Sequence, residues 1–168
     1  AASYVDHSFL KPDVTPEIIE QVCRQAVEHG FAAVSINPLY LSQIVELLSG
    51  SPVAAGTVVS FPLGALPTAI KLVEVHLYAE QGAQELDTVM HVGILKSGRY
   101  QAVLDDLCAV VDACHTAGII IKVIHENCLL SRFEKILACL LSMEASADFV
   151  KTSSGFSTGG ATVEDVEL

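Results

Sequence analysis

Short apolar runs alternate along the chain with longer segments in which apolar residues recur at helical spacing. Most runs hold five to eight residues and are rich in β-branched side chains, as fully buried parallel strands are. The pattern predicts strands at residues 32–36, 53–60, 85–91, 119–125 and 147–152, with a weaker sixth at 4–7. It predicts helices at residues 16–29, 38–48, 68–81, 100–116 and 131–144.

Strands that alternate with helices indicate an α/β fold, in which crossover helices join parallel strands. The repeat of roughly 30 residues suits either a (β/α)8 barrel or a doubly wound sheet, and the period alone does not separate them. Both folds place their sites at the carboxyl ends of the strands. The polar residues expected there are Asp6, Asn37, Asp87, Lys122, Glu126 and Lys151, together with the loop at 61–65.

Lys151 ends an apolar run, directly after Phe149 and Val150. Lysine is rarely buried without a partner, and partial burial lowers the pKa of an amine because desolvation penalises the ammonium. A neutral amine attacks a carbonyl and forms an imine, which makes Lys151 the candidate nucleophile. The alternative is a strand-end lysine whose ammonium simply reaches solvent.

Further charged residues surround this candidate. Lys122 lies in an equally apolar run, and two lysines at the same strand ends would repel each other. Glu126 is expected to pair with Lys122, and a buried structural ion pair is as good an interpretation as a functional one. Asp87 and Asp6 are carboxylates suited to proton transfer, although each taken alone also fits a solvated strand end.

A glycine-rich loop at residues 155–161 follows Lys151. Glycine lets the backbone approach an anion, and a helix that begins near Ala161 or Thr162 would turn its first amides toward a phosphate. Such loops are more often ordinary turns, so the loop by itself is weak evidence for a phosphate site.

Composition narrows the function class. The 168 residues suit one domain, and a net charge of −11 disfavours a basic nucleic-acid groove. Five scattered cysteines predict reduced thiols and a cytoplasmic location. We find no apolar stretch of membrane-spanning length, no secretory signal pattern and no metal-binding histidine spacing, so neither a membrane nor a metal or other cofactor is expected.

Six segments, in order, resemble those of the deoxyribose-phosphate aldolase family, and together they cover essentially the whole chain. The most specific is FVKTSSGFSTGGAT, which contains Lys151 and resembles the family's Schiff-base segment. The others are VDHSFLKP, VSINP, FPLGA, ELD with GILKSG, and KVI with the glutamate that follows.

The resemblance implies a TIM (β/α)8 barrel and reversible, metal-free cleavage of 2-deoxyribose 5-phosphate to acetaldehyde and glyceraldehyde 3-phosphate. It makes Lys151 the imine-forming lysine and Asp87 part of the proton relay, which Lys122 and Asp6 support. The residues expected beside the substrate are Gly155, Phe156, Glu126 and Asn37. The expected partners are a small phosphorylated sugar or aldehyde and further copies of the chain.

Three departures from the family qualify this expectation. The sequence ends at Leu168, within the sixth helix of such a barrel, so residues 1–168 are expected to form one barrel domain with about six β/α units, truncated before the seventh and eighth strands. The family carries a second active-site lysine and most of its phosphate site in those strands. His91 and His125 replace an asparagine and an aliphatic residue, and Ser35 replaces a frequent cysteine. The alternative function is a catalytically impaired homologue or fragment that acts only in assembly or binding.

Overall fold

Six parallel strands pair in the same order as they occur in the chain. A computed structural model describes residues 2–168. The strands are β1 (Asp6–Phe9), β2 (Ala33–Ile36), β3 (Ala54–Val59), β4 (Glu85–Val89), β5 (Ile120–Ile124) and β6 (Phe149–Lys151). All six predicted strands are therefore present, although β1 begins two residues later than the predicted segment because its pairing with β2 starts at Asp6.

Each connection between strands is helical. The helices are α1 (Pro16–His29), α2 (Leu41–Leu47), α3 (Thr68–Glu80), α4 (Val92–Lys96), α5 (Tyr100–Thr116), α6 (Arg132–Glu144) and α7 (Val163–Glu167). The five predicted helices are present within a few residues of their predicted bounds. The five-residue helix α4 was not predicted, because so short a segment shows no helical apolar period. Helix α7 begins where the sequence places a helix after the glycine-rich loop, with Thr162 as its N-cap.

The sheet curls, as a barrel does. Five strands laid flat would separate β1 from β5 by roughly 19 Å, at about 4.8 Å for each step. Yet the ammonium of Lys122 on β5 lies 2.6 Å from a carboxylate oxygen of Asp6 on β1. The curvature therefore turns one face of the sheet inward, and this settles the choice left open by the sequence period in favour of a barrel-type fold with six β/α units.

The apolar core lies between the outer face of the sheet and the helices. Leu86, Ile121 and Val123 present fully buried side chains on the strands. On α5 the buried residues recur at helical spacing, at Val103, Asp106, Leu107, Val110, Val111 and Cys114. The charged residues of the strands are left on the inner face.

One of the polar groups in this helix layer is a completely buried lysine. Lys71 of α3 donates to Asp106 of α5 at 2.7 Å, and to the carbonyl of Val89 at the end of β4 at 3.2 Å. Burial lowers the pKa of Lys71, while the Asp106 carboxylate acts in the opposite direction. Nε2 of His91 lies 3.1 Å from the other Asp106 oxygen. This network ties the carboxyl end of β4 to two helices.

The loop between β3 and α3 is fitted tightly against β4. At Gly64, where φ is 64°, an added Cβ would lie 2.3 Å from the carbonyl oxygen of Met90. Only glycine fits this close approach without moving the strand end.

His125 is a second buried polar group on the helix side of the sheet. Its Nε2 lies 2.9 Å from the Ser142 hydroxyl, which itself donates to the carbonyl of Ala138. Because that hydroxyl has already placed its proton, Nε2 must be the donor and carries a proton. Burial lowers the pKa of His125 to about 4.

We expect this histidine to make folding sensitive to acid. The unfolded chain takes up a proton near pH 6.5, whereas the folded chain resists it until about pH 4. Stability is therefore fully present above pH 6.5 and falls as the pH drops toward 4, by about 3 kcal/mol in total. Urea unfolding at pH 7.5 and pH 5 should show a smaller loss for His125→Leu than for the unaltered chain. His29→Leu, on an exposed histidine, should keep the full loss, and an equal loss in all three would contradict the assignment.

Candidate active site

Lys151 and Asp87 meet at the inner face of the sheet. Lys151 is the last residue of β6 and Asp87 is the middle residue of β4, and both side chains turn inward because side chains alternate across a strand. The Lys151 ammonium donates to Asp87 at 2.5 Å. The Asp87 side chain is 3% exposed and that of Lys151 is 30% exposed, so the amine stays open to a small molecule while its partner is shielded.

Lys122 is held by two other carboxylates. Its ammonium donates to Asp6 at 2.6 Å and to Glu85 at 2.5 Å. Burial lowers the pKa of Lys122, but the hydrogen bonds that its ammonium donates to Asp6 and Glu85 outweigh this effect and raise the pKa above the ordinary value for lysine. Lys122 is therefore a fixed cation. The expected repulsion between the two lysines is offset, since each has carboxylate partners of its own.

The predicted pair between Glu126 and Lys122 is wrong. Glu126 lies beyond the end of β5 in a left-handed conformation, with φ of 58° and ψ of 58°, which turns its side chain away from the strand that carries Lys122. It accepts hydrogen bonds from both the amide and the hydroxyl of Ser154. Glu126 thus fixes the loop that follows Lys151.

The loop after β6 is packed across the strand ends. Gly155 adopts a left-handed conformation, with φ of 83°. Phe156 stands edge-on to Phe61 with ring centroids 5.3 Å apart, and the ammonium of Lys11 lies 5.2 Å from the Phe156 centroid. Asn37, predicted to contact substrate, donates its side-chain amide to the carbonyl of Lys11 at 3.1 Å.

A cavity of about 250 Å³ opens beside these charged groups. Its walls combine apolar side chains with both inner-face lysines, and its lining residues are Ser3, Tyr4, Asp6, Ala32, Glu85, Ile120, Lys122, Phe149, Val150 and Lys151.

The residues that depart from the family lie elsewhere. The hydroxyl of Ser35 is buried and has no hydrogen-bond partner among residues 2–168. The two histidines that depart from the family, His91 and His125, bond toward α5 and α6 and are not among the residues that line this cavity.

Sequence reasoning did not select two residues that the structure places at this site. Glu85 shares its strand face with Asp87, so the period-2 alternation was a signal that could have identified it. Ser154 gave no such signal, because its role depends on the backbone conformation of Glu126, and no local pattern predicted that conformation.

A lysine beside a carboxylate on the inner face of curled parallel strands defines the class as an aldolase-type (β/α) barrel protein. The sequence model of the family described as DeoC/LacD family aldolase matches residues 1–168, and the chain belongs to this family. It is 50% identical over 165 residues to deoxyribose-phosphate aldolase of Brevibacillus brevis, covering 98% of this chain and 74% of that protein. It is 49% identical over 169 residues to the enzyme of the same name from Thermococcus gammatolerans, covering 99% and 75%.

Solved structures agree with this assignment. The tetrameric deoxyribose phosphate aldolase of Aeropyrum pernix superposes with a TM-score of 0.88 at 34% identity, over 98% of this chain and 69% of that chain. An aldolase designated QR15 gives a TM-score of 0.91, also at 34% identity, over 98% and 73%. The chain thus spans about three quarters of the length of the curated relatives named above.

Proposed function

We propose that the protein is a Schiff-base aldolase that reversibly cleaves 2-deoxy-D-ribose 5-phosphate to acetaldehyde and D-glyceraldehyde 3-phosphate, in deoxyribonucleotide catabolism. The observation that carries this proposal is the pair formed by Lys151 and Asp87, 2.5 Å apart on the inner face of the sheet. Relatives about 50% identical that bear the name deoxyribose-phosphate aldolase support the choice of substrate.

The reaction begins at the amine of Lys151. The Lys151 ammonium gives a proton to Asp87, and the neutral amine adds to the C1 aldehyde of the open-chain sugar. Loss of water leaves an iminium, which draws electrons from the neighbouring C2–C3 bond. Removal of the proton from the C3 hydroxyl then breaks that bond and releases glyceraldehyde 3-phosphate. The remaining enamine takes a proton at C2, and water hydrolyses the imine to acetaldehyde.

Asp87 is placed to move protons in these steps because it already touches the amine that reacts. In this proposal Lys122 is a fixed positive charge on the inner face, and Asp6 helps to keep it protonated. Gly155 and Phe156 lie beside the phosphate end of the substrate. Glu126 contributes by fixing their loop through Ser154.

The test is incubation of the purified chain with 2-deoxyribose 5-phosphate, with both products followed by proton NMR. Acetaldehyde and glyceraldehyde 3-phosphate should appear in equal amounts, and activity should persist in a metal chelator because the iminium is the electron sink. A folded chain, judged by circular dichroism, that yields neither product would favour the alternative of an assembly or binding module. No structural observation favours that alternative at present.

We also propose that the chain self-associates and works in the cytoplasm. Strand β6 and helix α6 expose large apolar side chains, at Phe133, Leu140, Met143, Phe149 and Val150. β6 is also an edge strand of the sheet, and an edge strand with exposed apolar side chains is a site for pairing with another chain. Light scattering should therefore give a mass at least twice 17.8 kDa. A stable monomer would contradict this.

No helix within residues 2–168 is both long and apolar enough to cross a membrane.

A further inference from the structure

Lys11 differs from every other lysine of the described chain. Of the six lysines, five have a carboxylate oxygen within 4 Å, and these are Lys71, Lys96, Lys122, Lys135 and Lys151. Within residues 2–168, Lys11 has no such partner. In a protein with a net charge of −11, a lysine at the strand ends that has no carboxylate partner is available to bind an incoming anion.

Its position is fixed from two sides. Lys11 follows β1 by two residues, and its carbonyl accepts the side-chain amide of Asn37 at 3.1 Å. Its ammonium lies 5.2 Å from the centroid of the Phe156 ring, a distance at which a cation is attracted to an aromatic face. The Phe156 ring in turn stands against Phe61. The charge of Lys11 is thus held over the loop that follows Lys151.

The surroundings of the ammonium suit an anion. Lys11 lines a groove with Ser8, Phe9, Leu10, Ser154, Gly155 and Phe156. Because Gly155 has no side chain, its main chain borders the same groove directly. Asp87 and Glu126 are already bound to Lys151 and Ser154, so their negative charges are partly offset.

We infer that Lys11 is a specificity-determining residue that binds the phosphate of the substrate, and this inference rests on the proposed function. Lysine recognises phosphate as a point charge with three donors. Asn37 and Phe156 act as positioning residues, because they hold the backbone and the ammonium of Lys11. The phosphate-bearing end of the substrate then lies between the ends of β1 and β6.

The kinetic test compares phosphorylated and free sugar. Lys11→Gln should lower kcat/KM for 2-deoxyribose 5-phosphate about tenfold or more, chiefly through KM, and should leave kcat/KM for 2-deoxyribose unchanged. The matched control is Lys96→Gln, whose lysine pairs with Glu134 on the outer layer and should change neither value. Equal losses for both sugars, or no loss for either, would overturn the inference.

A binding test separates this inference from the proposed chemistry. Glycerol 3-phosphate carries the anion but no reactive carbonyl, so titration calorimetry measures its Kd without any turnover. Lys11→Gln should raise that Kd about tenfold, and added salt should weaken binding to the unaltered chain more than to the variant. If the unaltered chain and Lys11→Gln bind equally, or if neither binds, the inference fails even when the aldolase reaction is observed. Loss of glycerol 3-phosphate binding in the variant would support it even if no cleavage occurs.

Discussion

We expect Lys151→Ala to reduce cleavage of 2-deoxyribose 5-phosphate by at least about a thousandfold, because the change removes the nucleophile that forms the imine. The same variant should lose the covalent product that acetaldehyde and borohydride leave on the unaltered chain. In that product an ethyl group is attached to Lys151, and peptide mass mapping locates it. The Lys151 side chain is partly exposed to solvent, so its removal should leave the fold intact.

Lys96→Ala provides the control, since Lys96 lies on the outer layer and pairs with Glu134. It should retain both turnover and the trapped ethyl group. A trapped group on Lys122 would reassign the nucleophile, although two carboxylates hold that lysine in its charged form. No trapped group at any pH between neutral and about 9.5 would contradict imine chemistry altogether.

Asp87→Asn should lower kcat by about a hundredfold to ten-thousandfold, the range lost when a group that transfers protons is removed. Asparagine keeps the shape and one hydrogen bond to Lys151, but it neither accepts the ammonium proton nor returns it. KM should change less than kcat, because the substrate-binding groove is left intact. Steady-state kinetics with 2-deoxyribose 5-phosphate measures both values.

Asp148→Asn is a matched control for this change. Asp148 precedes β6, as Lys151 ends it, but it binds the amide of Ile121 and the ring of His115 on the helix side. Its neutralisation should cost some stability and leave kcat within a few-fold of normal. If both variants lost activity equally, the loss would reflect the charge or stability of the strand rather than a specific role of Asp87.

The sequence predicted the placement of Lys151 and Asp87, because both depend on rules that act locally. An apolar run marks a strand, alternation decides the face, and parallel strands bring their carboxyl ends together. One partner of Lys122, Asp6, was beyond such rules. The contact between Lys122 and Asp6 spans 116 positions and arises only from the curvature of the whole sheet.

The error at Glu126 has an equally specific cause. Glu126 was paired with Lys122 because four residues separate them, but a positive φ at Glu126 directs its side chain to Ser154. Asn37 was placed beside the substrate because it follows β2; its amide binds the main chain of Lys11, and its contact with substrate stays a prediction. The proposed roles of Lys151, Asp87, Lys122, Asp6, Gly155 and Phe156 stay predictions until the variants are measured.

The order of the strands carries a consequence for how the chain folds. Every strand pairs with the strand that precedes or follows it in sequence, so each β/α unit finds its partner without waiting for distant segments. Pairing between successive strands closes shorter loops than pairing between distant strands, and it allows the chain to assemble progressively from its amino end during synthesis. The contacts of Lys122 with Asp6 and of Lys151 with Asp87 are exceptions, because they form only once β5 and β6, respectively, are in place. The charged inner face is therefore completed late, after the apolar layers that support it.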